Sequence, residues 1–554
     1  MYARRVIANP VLIVLAIARP ALAQESRLID VPGLGSLSFV SSVHSDSANR
    51  AFHRGLLLLH VFHYEEAAGA FRDAQRLEPG FALAYWGEAM THNHAVWNQQ
   101  DRGAGRDALA RLAPDPASRE KLAPTPREKA WLRTAELLYG DGEKAHRDTL
   151  YARAMQKLAD DYPDDEARLF HALALLGLNQ GVRDSTTYMK AAALAGDVMA
   201  RNPRHPGASH YYIHAVDEPE HAALGLNAAE LLAGAAPDAG HAQHMTSHIF
   251  VALGMWNDVA AANERAVGVA AAAARRSGGR VNRCGHYNHW LTYGYLQQGR
   301  VREATSLVEA CRDQAVAVAA SARPTDTDPD ASPLASFFAM RTRLIIDTQA
   351  WAGDVARWPI APGSAPAPRI TWAFTSGLAA AQTNEAGRLA AAITEFQTAR
   401  RDLDAAWARN PDADPGNAEF RKRLDVLELE LRALAEAADH RDDQAVQLLR
   451  RAAATEDAMA YAFGPPFVDK PAWELLGEVL LRLGRPVDAR AAFTTAIQRN
   501  PGRTAGLLGL ARAETGLGNR QAAAAHWSRL QSIWHSADPD FAPAIEARSV
   551  RTGS

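Results

Sequence analysis

Residues 470–501 read KPAWELLGEVLLRLGRPVDARAAFTTAIQRNP. With Lys470 as position 1, Trp473, Leu476, Gly477 and Leu480 fall at positions 4, 7, 8 and 11, the spacing of one apolar stripe along a helix. Beyond Gly484 at position 15, Ala489, Phe493 and Ala496 at 20, 24 and 27 form a second stripe, which Pro501 at 32 terminates. Small residues at 8 and 20 let the two helices approach closely, and a glycine at 15 suits the turn between them. The stretch predicts a helical hairpin that cannot bury both stripes by itself and must stack on neighbours.

The same register recurs along the chain. From Ala48 it gives Gly55, Ala67, Phe71, Ala74 and Pro79, and from Thr504 it gives Leu507, Leu510, Ala511, Gly518, Ala523 and Trp527. Weaker copies begin near Leu132 and Val426, and copies starting at Ala172, Pro206 and Gly240 follow one another at the 34-residue period. An 11-residue insertion around Arg275–Arg283 delays the next start to about Gly285. The pattern closely resembles the tetratricopeptide repeat (TPR) family. That resemblance implies an all-α helix-turn-helix solenoid wound as a right-handed superhelix, with about ten to twelve repeats and a concave groove lined by the first helices. We read an N-terminal array over residues 45–318 and a C-terminal array over 335–540. The segments Ser321–Pro333 and Pro359–Pro368 read as exposed loops.

Residues 1–23 carry the basic start, apolar run and Ala21-Leu22-Ala23 ending of a cleavable secretory signal, which places the mature chain in the periplasm or outside the cell. No later stretch is long and apolar enough for a transmembrane span. With 60 basic and 63 acidic residues the chain lacks the excess positive charge through which nucleic acid is bound, so a nucleic-acid partner is not expected. The two cysteines, Cys284 and Cys311, fall at facing ends of one helical hairpin, and a disulfide between them suits an oxidising compartment.

The histidines carry the functional reading. Positions 2, 5, 9 and 12 of each first helix lie opposite its packing stripe, the face that lines the groove in the TPR family. His210, His214 and Asp217 occupy 5, 9 and 12 of one repeat, His241, His244 and His248 occupy 2, 5 and 9 of the next, and His286 and His289 occupy 2 and 5 of the one after. Pairs at i,i+3 or i,i+4 set two imidazoles about one turn apart on one face, as a borderline-soft ion requires. We therefore expect these eight residues to form a site for zinc, copper or nickel, with Asp217 as ligand or as orienter of an imidazole; the alternatives are a metal-free, histidine-rich groove for an acidic or aromatic partner, or structural hydrogen bonding. At least three of His210, His214, His244, His248 and His289 are expected to converge on one ion. A second group, His60, His92, His94 and Trp97, reads more simply as polar residues at helix ends, and His205 with six other histidines as isolated surface residues. Tyr293, at position 9, reads as lining the groove.

None of these motifs is H-E-x-x-H, since Ala242 and Gln243 follow His241, and no phosphate-binding glycine loop or nucleophile elbow appears. The expectation is an interaction scaffold that binds a protein or peptide in its groove together with a transition metal. The alternative is a metal-dependent enzyme, hydrolytic or oxidative, using an ion with an open coordination position.

Overall fold

The computed structural model describes residues 28–178, 183–318, 332–358, 365–409 and 417–550. The leader read over residues 1–23, the boundary between the two arrays and most of the two loop segments lie outside these; Pro366 and Pro368, placed in a loop by the sequence, open the helix Pro366–Gln382. The described residues form an all-α, TPR-like solenoid of stacked helical hairpins, from Asp46–Leu77 to Thr504–Ile533, with most helices packed on their successors. The first helices at Pro206–Val216, Gly240–Leu253 and His286–Gln297 start where the punctuation predicted. Leu476 and Phe493 are buried, as their stripes require. Among the described residues no helix is long and apolar enough to cross a membrane.

The close approach at position 8 has a specific cause. The ring of Phe71 at position 24 fills the space above Gly55 of its own repeat and Gly87 of the next, and Phe493 does the same above Gly477 and Gly509. A methyl group at any of these four glycines would overlap the ring.

First helices form an inner layer and second helices an outer one. Nearly every residue of Pro206–Val216 and Gly240–Leu253 is buried, whereas Trp256–Arg276 buries a single stripe. The inner layer is covered on its concave side because the winding brings distant repeats together. His60 and Phe62, at the end of the first helix, pack on Pro206–Val216. At the other end, Trp256 donates its Nε1–H to the carbonyl of Gly502 at 2.8 Å, Trp534 donates to the carbonyl of Gln297 at 3.0 Å, and Thr504 donates its backbone N–H to Gln297 Oε1 at 2.9 Å. Arg503, fully buried, joins Asp347 at 2.6 Å and Glu474 at 2.8 Å. The concave face is therefore interior packing around the histidines rather than an open groove.

Two short hairpins depart from the helical pattern. Ile29–Val31 pairs with Gly35–Leu37 and docks through Ser36 N–H on the carbonyl of Arg204. Asn93–His94 pairs with Gln99–Gln100, so the stretch read as the end of a first helix instead turns back after Met90.

Candidate metal centre

The cluster is built by the three consecutive inner helices Pro206–Val216, Gly240–Leu253 and His286–Gln297. His210, His214, His244 and His248 are at most 3% exposed and His241 is 8% exposed, so the face expected to line a groove is dry. His210, His214 and His241 each offer a ring nitrogen within 4.8 Å of the others, and so do His244, His248 and His286. His289 does not join them. One turn along its helix, it lines a separate cavity of about 90 Å³ with Phe338, Arg343, Arg423 and Phe467.

Hydrogen bonds fix which nitrogen of each ring is bare. His210 Nδ1 is 2.6 Å from the backbone carbonyl of His60, an atom that can only accept, so Nδ1 carries the proton. His248 Nδ1 lies 3.1 Å from Asp217 Oδ2 and donates to it. His244 Nδ1 lies 2.7 Å from Asn263 Oδ1, and the Asn263 amide is oriented by its own donation to the carbonyl of Val259 at 2.9 Å. His244 is therefore also held with its proton on Nδ1. All three rings turn a bare Nε2 inward, and the Nε2 atoms of His244 and His248 are only 3.2 Å apart. His210 Nε2, His241 Nε2 and both nitrogens of His214 have no hydrogen-bond partner among the described residues.

Protons do not resolve this. Burial holds His210, His241 and His244 well below the usual imidazole range, and repulsion between the neighbouring rings adds to it. Burial brings His248 down to about 4, although Asp217 opposes the shift. At neutral pH the rings are neutral. Burial alone would raise Asp217, but Arg183, 2.8 Å from its Oδ1, and the adjacent histidines hold it below the carboxylate range. Asp217 Oδ2 orients His248 and lies 3.7 Å from His214 Nδ1, beyond hydrogen-bond range, and the three residues form a further group whose ligand atoms lie within 4.8 Å of one another.

Several partners were missed by sequence reasoning. Phe62, a bulky residue held at φ 56°, lays its ring 4.3 Å from that of His210 and 5.6 Å from that of His241. A positive φ at such a residue is strained and recurs at functional sites. Trp290 stacks on His248 with ring centroids 4.6 Å apart, and Phe463 covers the same ring at 4.9 Å. Phe463 belongs to the connection between the helices Asp442–Asp457 and Ala472–Arg482, which Arg343 and Arg423 grip through the carbonyls of Pro466 and Phe467. The signal was the register: the copies at Val426 and Lys470 are 44 positions apart, ten more than one period. Tyr293, placed in a groove by the sequence, instead packs edge-on against Trp256.

Two further readings are corrected. His60 does end the first helix, but its ring meets Glu166 and Tyr211 rather than terminal carbonyls, and His205 is not on the surface. Both are completely buried and share Glu166, whose oxygens lie 2.7 Å from His60 Nε2 and 2.8 Å from His205 Nε2. His60 Nδ1 meets the Tyr211 hydroxyl at 2.9 Å, and its backbone carbonyl anchors His210, so this triad buttresses the main cluster. Cys284 and Cys311 are bonded, with Cα atoms 4.8 Å apart, and the bridge ties down the hairpin that carries His286. On the Phe62 side, a cleft of about 1080 Å³ is lined by Phe62, Tyr64, His94, Gly240 and Tyr287.

No protein-family model matches the chain, and no curated protein matches it. Among solved structures, it is similar to a human IFIT1 dimer with PPP-AAAA, at 12% identity over 90% of this chain and 92% of that one, with a TM-score of 0.32. It is also similar to the APC/C hetero-tetramer Cut9-Hcn1, at 11% identity over 91% and 96% of the two chains, with a TM-score of 0.26. Likeness of that degree carries no argument, and the site has to be read from its own atoms.

Proposed function

We propose that this chain is an exported repeat scaffold whose inner helices bind a transition metal through imidazole nitrogens. The observation that carries the reading is the pair of bare Nε2 atoms of His244 and His248, 3.2 Å apart in a dry interior with their protons committed elsewhere. Two lone pairs at that separation repel unless a cation lies between them. The two acceptors behind them, an amide oxygen and a carboxylate, are the kind that orient metal-bound histidine. An all-imidazole set suits zinc, copper and nickel. A protein or peptide partner, implied by the family resemblance, would not meet His210, His214, His244 or His248, which are enclosed, although His286 is only partly buried.

Three nitrogens are one fewer than a closed tetrahedral shell, which supports the enzymatic alternative, since catalytic zinc sites keep one position for water or substrate. The binding reading is tested with the variant H214A/H248A. Isothermal titration with zinc, copper and nickel should show tight binding to the wild type, persisting at pH 6 because burial keeps His244 and His248 neutral, and none to the variant. Equal heats for both proteins, with unchanged helical circular dichroism, would refute it.

A further inference from the structure

We infer that the histidine surface holds two metal ions, one in each seam between successive inner helices. This rests on the metal-binding reading above and adds stoichiometry and place. The first seam, between Pro206–Val216 and Gly240–Leu253, holds His210, His214 and His241; the second, between Gly240–Leu253 and His286–Gln297, holds His244, His248 and His286. The two triads share no residue. The middle helix serves both because His241 packs on His210 of the preceding inner helix, ring centroids 5.1 Å apart, and His244 packs on His286 of the following one, 4.4 Å apart.

Repetition explains the pairing. The H-x3-H pair at His210 and His214 recurs one 34-residue period later as His244 and His248, so stacking equivalent helices yields equivalent half-sites. A pair on one helix needs a third nitrogen from the next, and each seam supplies one: His241 for the first and His286 for the second. The seams are linked by Asp217, whose Oδ2 lies 3.1 Å from His248 Nδ1 and 3.7 Å from His214 Nδ1, so one carboxylate faces a ring of each triad. The first triad also has the clearer unmet demand. His210 Nε2, His241 Nε2 and both nitrogens of His214 are buried without a hydrogen-bond partner among the described residues, and an ion held by His244, His248 and His286 would not satisfy all of them.

The experiment loads the full-length protein with Co²⁺ or Zn²⁺, removes loosely held metal by dialysis, and counts ions per chain by mass spectrometry while following Co²⁺ d–d absorption during titration. Two ions per chain and a break at two equivalents are expected. H210Q/H241Q and H244Q/H286Q should each retain one ion, because each pair of substitutions disables one seam. One ion in the wild type would overturn the paired-site inference and leave the metal-binding reading standing; none would overturn both. Loss of both ions in either double variant, with helical circular dichroism unchanged, would replace two seams by a single shared cluster and overturn the inference as well.

Discussion

Asn263 decides which nitrogen of His244 faces its neighbours, because the amide that accepts from Nδ1 is itself pinned to the carbonyl of Val259. Removing that acceptor by Asn263→Leu frees the ring to place its proton on Nε2, and zinc affinity should fall about 10- to 100-fold. Asn263→Asp, which keeps an acceptor there, should restore most of it. Competition with a chromophoric chelator measures both, and equal affinities across the three proteins would remove Asn263 from the site. The residue was legible in principle. It stands at position 24 of the repeat beginning at Gly240, where Phe71 and Phe493 stand in other copies, and a polar side chain on a packing stripe needs a buried partner. Seven of the eight residues, read from their spacing and their register in the repeat, lie together, whereas His289 lines the separate cavity.

At the scale of the element, the fold was legible and its inside was not. Stripe, turn glycine and terminating proline fixed the hairpins, but burial of the opposite face depends on contacts more than 150 residues away in the chain. One sign was available: Pro206–Val216, Gly240–Leu253 and His286–Gln297 contain no Asp, Glu, Lys or Arg, whereas Trp256–Arg276 contains five such residues. A helix without a charged face is buried all round. Another element-level feature is Glu456, at the end of Asp442–Asp457, whose Oε2 accepts from the N–H of Ala472 at 2.7 Å, in the turn that opens the next first helix. Burial pushes its carboxyl up to about 7, against the pull of that N–H. The unfolded chain ionises it near pH ~4.3, so the folded state holds the proton longer, and stability contributed by this group falls as pH rises from there through about 7. The full loss, on the order of 3 kcal/mol, is present above that point. Glu456→Gln should therefore raise the urea midpoint at pH 8 and leave it nearly unchanged at pH 4.5. Parallel pH profiles for the two proteins would contradict this.

The whole molecule depends on a contact between two turns. Gly254 and Gly502, both in the left-handed region at φ 68° and 74°, meet back to back, and a Cβ on either would run into the other's backbone. Gly518 has nearly the same φ, 73°, with open space around it. Gly518→Ala should cost only the left-handed strain, about 1–3 kcal/mol, while Gly254→Ala should cost clearly more, because it also separates the middle of the chain from its C-terminal repeats. Thermal melts of both variants make the comparison, and equal losses would show that the contact adds nothing. The same long-range closure sets an order in time. Synthesis runs from the N-terminus, so His210 through His286 emerge well before Phe463, the side chain that finally covers His248. For that interval Phe62 and Trp290 can already pack on their histidines, but the side of His248 that Phe463 later covers stays open. If the imidazoles hold an ion as proposed, whichever ion is at hand when the last repeats arrive would be sealed beneath a residue made more than 170 positions later, and the cell compartment in which the chain finishes folding, as much as equilibrium affinity, would select it.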